Sequence, residues 1–179
     1  MQGLILLADG FEDAEALSTR DVLRRADINI DIASITNNDI VISSHGLKVI
    51  SDLTIEKINI NKYDFLVLPG GGKGTKNLKA SNKVSEIVLE FYKQNKLIAA
   101  ICAAPGVLGR LGLLNNKKYT CFAKSEDGPG INTKSEVEID GNIITARSMF
   151  YSVPFALAII DYLLGKDISK KVYEQLQGI

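Results

Sequence analysis

Apolar residues occur along this chain in short unbroken runs that alternate with helical stripes. Gly3 to Ala8 is one such run, as expected of a strand buried on both faces of a parallel sheet. Asp9-Gly10 ends it. From Glu12 to Ala26, the apolar residues Ala14, Leu17, Val22 and Leu23 recur at helical spacing with charges between them. Asn29 to Ile35 alternates apolar and polar positions and predicts a second strand. Asp39 to Ile50 is short and β-rich, with His45-Gly46 as the turn between Val41-Ile42 and Leu47 to Ile50. Asp64 to Leu68 predicts another buried strand, stopped by Pro69-Gly70-Gly71-Gly72. A helical pattern returns from Asn82 to Gln94, and the strand Leu97 to Ile101 runs directly into Cys102. A helix from about Ala103 to Leu111 follows. Asp140-Gly141 marks a tight hairpin within Glu136 to Ala146. Helices over Phe150 to Leu164 and Ile168 to Gln175 close the chain.

Strands alternating with helices predict an α/β fold, a doubly wound and mostly parallel sheet with helices on both faces. There is no internal repeat, low-complexity linker or composition break, so residues 1–179 are expected to form one domain. A chain of 179 residues buries about 70% of its unfolded surface on folding and needs no disulfide or metal to hold it together.

Charge and cysteine content narrow the function classes. The 21 basic residues balance 21 acidic ones, which disfavours nucleic acid and anionic membranes as partners. The N-terminal apolar run lacks the flanks of a signal peptide and is too short to span a bilayer. The two cysteines lie far apart with no CxxC, and His45 is the single histidine, which disfavours a zinc site built from sequence-local ligands. Reduced thiols and a cytoplasmic location are the expectation.

Doubly wound sheets place their sites at the carboxyl ends of the strands. Three loops at such ends carry unusual residues: Asp9 to Glu15, Pro69 to Gly74 and Cys102 to Pro105. Cys102, where a buried strand turns into a helix, has the setting of a nucleophile elbow. Helix N-terminal amides there would lower its pKa, whereas an inert core cysteine is the plain alternative. Glu15 belongs to an acidic first helical turn with Glu12 and Asp13; it either offsets the helix dipole or reaches the sulfur as a proton carrier. Gly70-Gly71-Gly72 allows close backbone approach and offers N–H donors to an oxyanion, or is only a tight turn. It is not a phosphate-binding Walker loop, because Thr75-Lys76 follows Gly74 in the wrong order. His45 is either a base for the cysteine or a solvated surface residue. Cys121 reads as a half-buried strand residue.

Five segments, taken together, resemble the ThiJ/PfpI superfamily in the branch of the Parkinson-disease-associated protein deglycase. They are Gly10-Phe-Glu-Asp-Ala-Glu15, Asp21-Val-Leu-Arg-Arg-Ala26, Val67-Leu-Pro-Gly-Gly71, Ala99-Ala-Ile-Cys-Ala-Ala-Pro105 and Phe155-Ala-Leu-Ala158. The resemblance implies a flavodoxin-like sandwich, usually a homodimer. It matches the family nucleophile to Cys102, the partner carboxyl to Glu15, and the oxyanion donors to the amides of Gly71 and Ala103, with Gly70 beside them. Arg25 resembles an arginine that reaches the partner subunit's site, His45 falls near a position held by arginine in some relatives, and Arg147 resembles an arginine near the site.

The implied activity needs no metal or organic cofactor. It converts methylglyoxal or glyoxal to lactate or glycolate, or repairs early glycation adducts. The alternative is a redox sensor or stress chaperone that works through oxidation of Cys102; a binding module with a vestigial site is the third reading. Two departures matter. Ala103 stands where the protease-like branch has histidine, which disfavours a Cys–His peptidase. Tyr119-Thr-Cys-Phe122 lacks a histidine that some members carry there, so Glu15 is left to do the acid–base work alone.

Overall fold

The computed structural model describes all 179 residues. Its main sheet has seven strands: β1 (Gln2–Leu7), β2 (Asn29–Ser34), β5 (Leu53–Thr54), β6 (Phe65–Leu68), β7 (Leu97–Ile101), β10 (Val137–Asp140) and β11 (Ile143–Ala146). Their spatial order is β10-β11-β7-β6-β1-β2-β5. All pairings are parallel except that of β10 with β11. The core order β2-β1-β6-β7-β11 is the flavodoxin-like 2-1-3-4-5 arrangement, so the fold class matches the expectation. Two small pairs lie outside the sheet: β3 (Ile40–Ile42) with β4 (Lys48–Ile50), and β8 (Lys118–Tyr119) with β9 (Ile131–Asn132).

The period of two along each strand divides the core into two clusters. Leu4, Leu6, Leu66, Leu68, Ile98 and Ala100 face α2 (Gly72–Ala80), α3 (Asn82–Lys93) and α4 (Pro105–Arg110). Ile5, Leu7, Phe65, Val67, Ala99 and Ile101 face α1 (Asp13–Arg25), α5 (Ser152–Leu164) and α6 (Lys166–Gln177). Continuous burial on both sides explains why β1, β6 and β7 read as unbroken apolar runs rather than alternating ones. No helix is long and apolar enough to cross a membrane.

Several boundaries depart from the sequence pattern. The fully buried stripe of α1 is Glu15, Ala16, Thr19, Val22 and Leu23, whereas Leu17 is exposed. The apolar residues alone had put Ala14 and Leu17 on the inner face. α2 is absent from the apolar pattern because Leu78 is its one large apolar residue. Gly74 lets it dock: a Cβ there would fall 2.8 Å from the Phe11 nitrogen. α4 begins at Pro105 rather than Ala103, with Cys102 to Ala104 forming a turn before it. The β10–β11 turn is Gly141-Asn142, since Asp140 already pairs with Ile143.

Candidate active site

The direction of the chain reverses at β1. Its successor β2 lies on one side and β6 on the other, so the carboxyl ends of β1, β6 and β7 open a crevice. Glu15 enters it from α1, Gly70 and Gly71 from the end of β6, and Cys102 from the end of β7. All five of Cys102, Ala103, Glu15, Gly71 and His45 line one cavity of about 710 Å³.

Cys102 has a left-handed backbone, with φ of +63°. A side chain in that region costs about 1–2 kcal/mol. Two hydrogen bonds hold it there: its N–H donates to Ala146 O at 2.8 Å, and its carbonyl accepts from the Phe122 N–H at 2.7 Å. The first extends the β7–β11 ladder by one residue, and the second ties down the following loop. The turn throws the half-buried thiol above the sheet.

Glu15 is completely buried. Its Oε2 accepts the Gly70 N–H at 2.7 Å, and its Oε1 has no partner of ordinary hydrogen-bond geometry. Gly70 lies between the carboxyl and the cysteine: a Cβ on it would fall 2.8 Å from Glu15 Oε2 and 2.9 Å from Cys102 Cβ. Its N–H is therefore committed to Glu15 and is not free for an oxyanion, which corrects the reading of Gly70 as a substrate donor. Gly71 has φ of +88°, and a Cβ there would fall 2.3 Å from Gly10 O, so no other residue fits.

Gly70→Ala should therefore cost about 1–3 kcal/mol through overpacking. Gly72→Ala, with nothing within 4 Å of the added carbon, should be close to neutral. Urea unfolding of the two variants checks the contrast; equal midpoints would mean that the Gly70 site relaxes freely.

Burial raises the Glu15 pKa to about 7, against the opposing hydrogen bonds of Cys102 and Gly70. Burial first, and then the Glu15 charge, push the Cys102 thiol up to about 12. The amides of Ala103 and Gly71 pull it back toward thiolate. The sequence expectation was a lowered thiol pKa from a helix N-terminus. The helix starts too late to supply that, and an acid sits against the sulfur instead. Near neutral pH the pair holds at most one negative charge. Sulfur ionises most readily when Glu15 takes the proton, because the opposing charge then vanishes and the carboxyl becomes a hydrogen-bond donor.

His45 stands on the cavity wall with its Nδ1 2.9 Å from Asp13 Oδ2 and 3.9 Å from Glu12 Oε1. It is paired with Asp13, which raises its pKa, and not with Cys102. Glu12, Asp13 and His45 place one potential metal-ligand atom each within 4.8 Å of one another, a grouping that β3–β4 creates and sequence spacing hid. The 2.9 Å contact is a hydrogen bond in this structure, so a cation held by the trio would have to displace the proton between its two atoms.

The two arginines stand elsewhere. Arg25 is ten residues beyond Glu15, about 15 Å along α1, and pairs with Asp21 at 2.9 Å. Arg147 stacks on the Tyr151 ring at 4.9 Å and donates to Lys134 O. Neither lines the cavity. Glu12 and Gly72 also line the wall, and sequence reasoning missed its far side, Phe122, Ala123, Ser125, Ser148, Met149 and Phe150. The signal for the last three was present. They follow β11, whose carboxyl end faces the same crevice because β11 runs parallel to β7.

The DJ-1/PfpI family profile matches residues 1–162. Among curated relatives, DJ-1 homolog B of Arabidopsis thaliana is 37% identical over 93% of this chain, although the chain spans 39% of that protein. The dj-1beta protein of Drosophila melanogaster is 33% identical over 98% of this chain and 95% of its own length. Among solved structures, oxidized DJ-1 of Toxoplasma gondii superposes with a TM-score of 0.92 at 32% identity, covering 98% of this chain and 97% of that one. A cysteine-to-alanine mutant of a DJ-1 superfamily protein from Salmonella typhimurium gives a TM-score of 0.92 at 34% identity, over 99% and 96%.

Proposed function

This chain belongs to the DJ-1/PfpI family, and from that premise we propose that it is a cofactor-independent, cysteine-dependent glyoxalase or deglycase of α-oxoaldehydes and their early glycation adducts. One observation carries the reading. A cysteine is held in a strained turn above a cavity, a buried carboxyl with a free oxygen lies against it, and two amides face its sulfur.

The reaction is built from these groups. The Cys102 sulfur adds to the aldehyde carbon as its proton passes to Glu15, and a C–S bond forms. The Gly71 and Ala103 amides meet the oxygen on which charge develops. Glu15 passes that proton to this oxygen, completing the hemithioacetal. As a carboxylate it then removes the hydrogen from the former aldehyde carbon and returns it to the neighbouring carbonyl carbon, while the hydroxyl proton moves to the neighbouring oxygen. The hemithioacetal thereby becomes a 2-hydroxy thioester with no net oxidation. Water cleaves the thioester and restores the thiol, giving lactate from methylglyoxal or glycolate from glyoxal. The direct test is methylglyoxal consumption with lactate detection. Disappearance of the aldehyde without lactate would leave adduct formation in place of catalysis.

A second reading, a redox sensor or stress chaperone, is favoured by the contrast between the two thiols. Cys102 lines the cavity beside a carboxyl able to donate a hydrogen bond to an oxidised sulfur, whereas Cys121 is buried and meets only the Asn132 amide at 3.7 Å. Mild peroxide should add two oxygens to Cys102 and none to Cys121, read by peptide mass spectrometry. Equal oxidation of both thiols would remove the case for a tuned sensor.

A further inference from the structure

The active-site chemistry proposed above leaves one step without a base. Glu15 is sealed against the sulfur and Gly70, well placed for transfers between adjacent carbons. The water that releases the product must arrive from the open side of the cavity. The titratable side chains on that side are Glu12 and His45.

His45 is fixed more firmly than its exposure suggests. In its turn, Ser43 Oγ accepts the His45 N–H at 3.2 Å and the Leu47 N–H at 3.0 Å. The Ser44 N–H donates to Phe11 O at 2.8 Å, which ties the turn to the loop leading into α1. Asp13 Oδ2 then holds the ring at 2.9 Å. A carboxylate only accepts, so Nδ1 carries the proton and Nε2 is the basic nitrogen. Orientation of an imidazole by a carboxylate is the arrangement that makes histidine a base elsewhere.

We propose that His45, oriented by Asp13, is the general base that activates water for release of the product from Cys102. The assignment rests on the glyoxalase reading of Cys102. In the step, a water proton passes to His45 Nε2 as the water oxygen adds to the thioester carbonyl. The tetrahedral adduct collapses, the C–S bond breaks, and its electron pair returns to the Cys102 sulfur. The proton on His45 then neutralises the released thiolate, so nothing is oxidised or reduced. Around the ring stand Asp13 of α1, Glu12 just before it, and the Ser44 hydroxyl at 3.2 Å from Nδ1. The two acids raise the imidazole pKa, with the Asp13 hydrogen bond the largest cause, and so make Nε2 a stronger proton acceptor.

The test is intact-mass analysis after acid quench, run beside steady-state lactate formation, with methylglyoxal as substrate. His45→Gln should slow lactate formation about a hundredfold, the usual contribution of a general base. It should also accumulate an acid-stable, hydroxylamine-labile adduct of one methylglyoxal on Cys102 that the parent does not. Asp13→Asn, which leaves the imidazole but removes its charged partner, should move the pH limb of product release toward lower pH. His45→Gln turning over at the parental rate with no adduct would overturn the assignment and leave the glyoxalase reading standing. No lactate from the parent itself would overturn both.

Discussion

Cys102→Ala is expected to fold like the parent and to form no lactate from methylglyoxal above the buffer rate. Loss of a catalytic nucleophile lowers turnover by about 10⁴-fold or more, because the covalent route is closed and the remaining groups have no intermediate to act on. The fold should survive, since both hydrogen bonds that hold residue 102 use its backbone. Alanine nevertheless keeps the strain of φ +63°. Cys102→Gly should therefore be the more stable of the two inactive variants, by about 1 kcal/mol. Calorimetry on the pair, alongside the lactate assay, checks both statements. Cys121→Ala, away from the cavity wall, should retain turnover. Retained methylglyoxal consumption by Cys102→Ala would end the nucleophile assignment, whatever the stabilities show.

Glu15→Gln should give a protein that turns over far more slowly and, above neutral pH, is more stable than its parent. The sign follows from linkage. Glu15 has an ordinary pKa of 4.5 and a folded value of about 7, so between those values the folded state keeps a proton that the unfolded chain has released. Parental stability therefore falls as pH rises through that window, by up to about 3 kcal/mol, and levels off above it. Glutamine mimics the protonated acid: its oxygen accepts the Gly70 N–H and its NH₂ faces the sulfur. It has no proton to exchange, so turnover should drop about 10²- to 10⁴-fold. Melting temperatures of the two proteins across this pH range should diverge upward for the variant. Parallel profiles would mean that Glu15 is not the group that burial strains. Such an exchange of stability for chemistry is expected where a carboxyl is buried in order to carry protons.

The buried position of Glu15 was readable in principle from α1. Residues 15, 19, 22 and 23 share one helical face, but a search restricted to apolar residues passes over an acid and a threonine on that stripe. The same bias favoured Leu17, which is exposed. α2 escaped for a related reason, because it is anchored by glycine contacts and a single leucine rather than by a periodic apolar face. Arg25 and Arg147 stand differently. Within the chain, Arg25 pairs with Asp21 down α1 and Arg147 stacks on Tyr151, and a reach into a partner subunit's site depends on an assembly that the sequence of one chain does not spell out.

What the sequence determined was the parallel sheet, its strand ends, and the loops bearing Glu15, Gly71 and Cys102. Each depends on local patterning, where runs of apolar residues and glycine stops have one economical backbone solution. The direction of the pKa shifts, the commitment of the Gly70 amide, the pairing of His45 with Asp13 and the aromatic side of the cavity were decided by tertiary structure alone. These depend on which segments meet across the crevice. Desolvation and hydrogen bonding act over a few ångströms in space, between residues as far apart along the chain as Glu15 and Gly70 or Asp13 and His45.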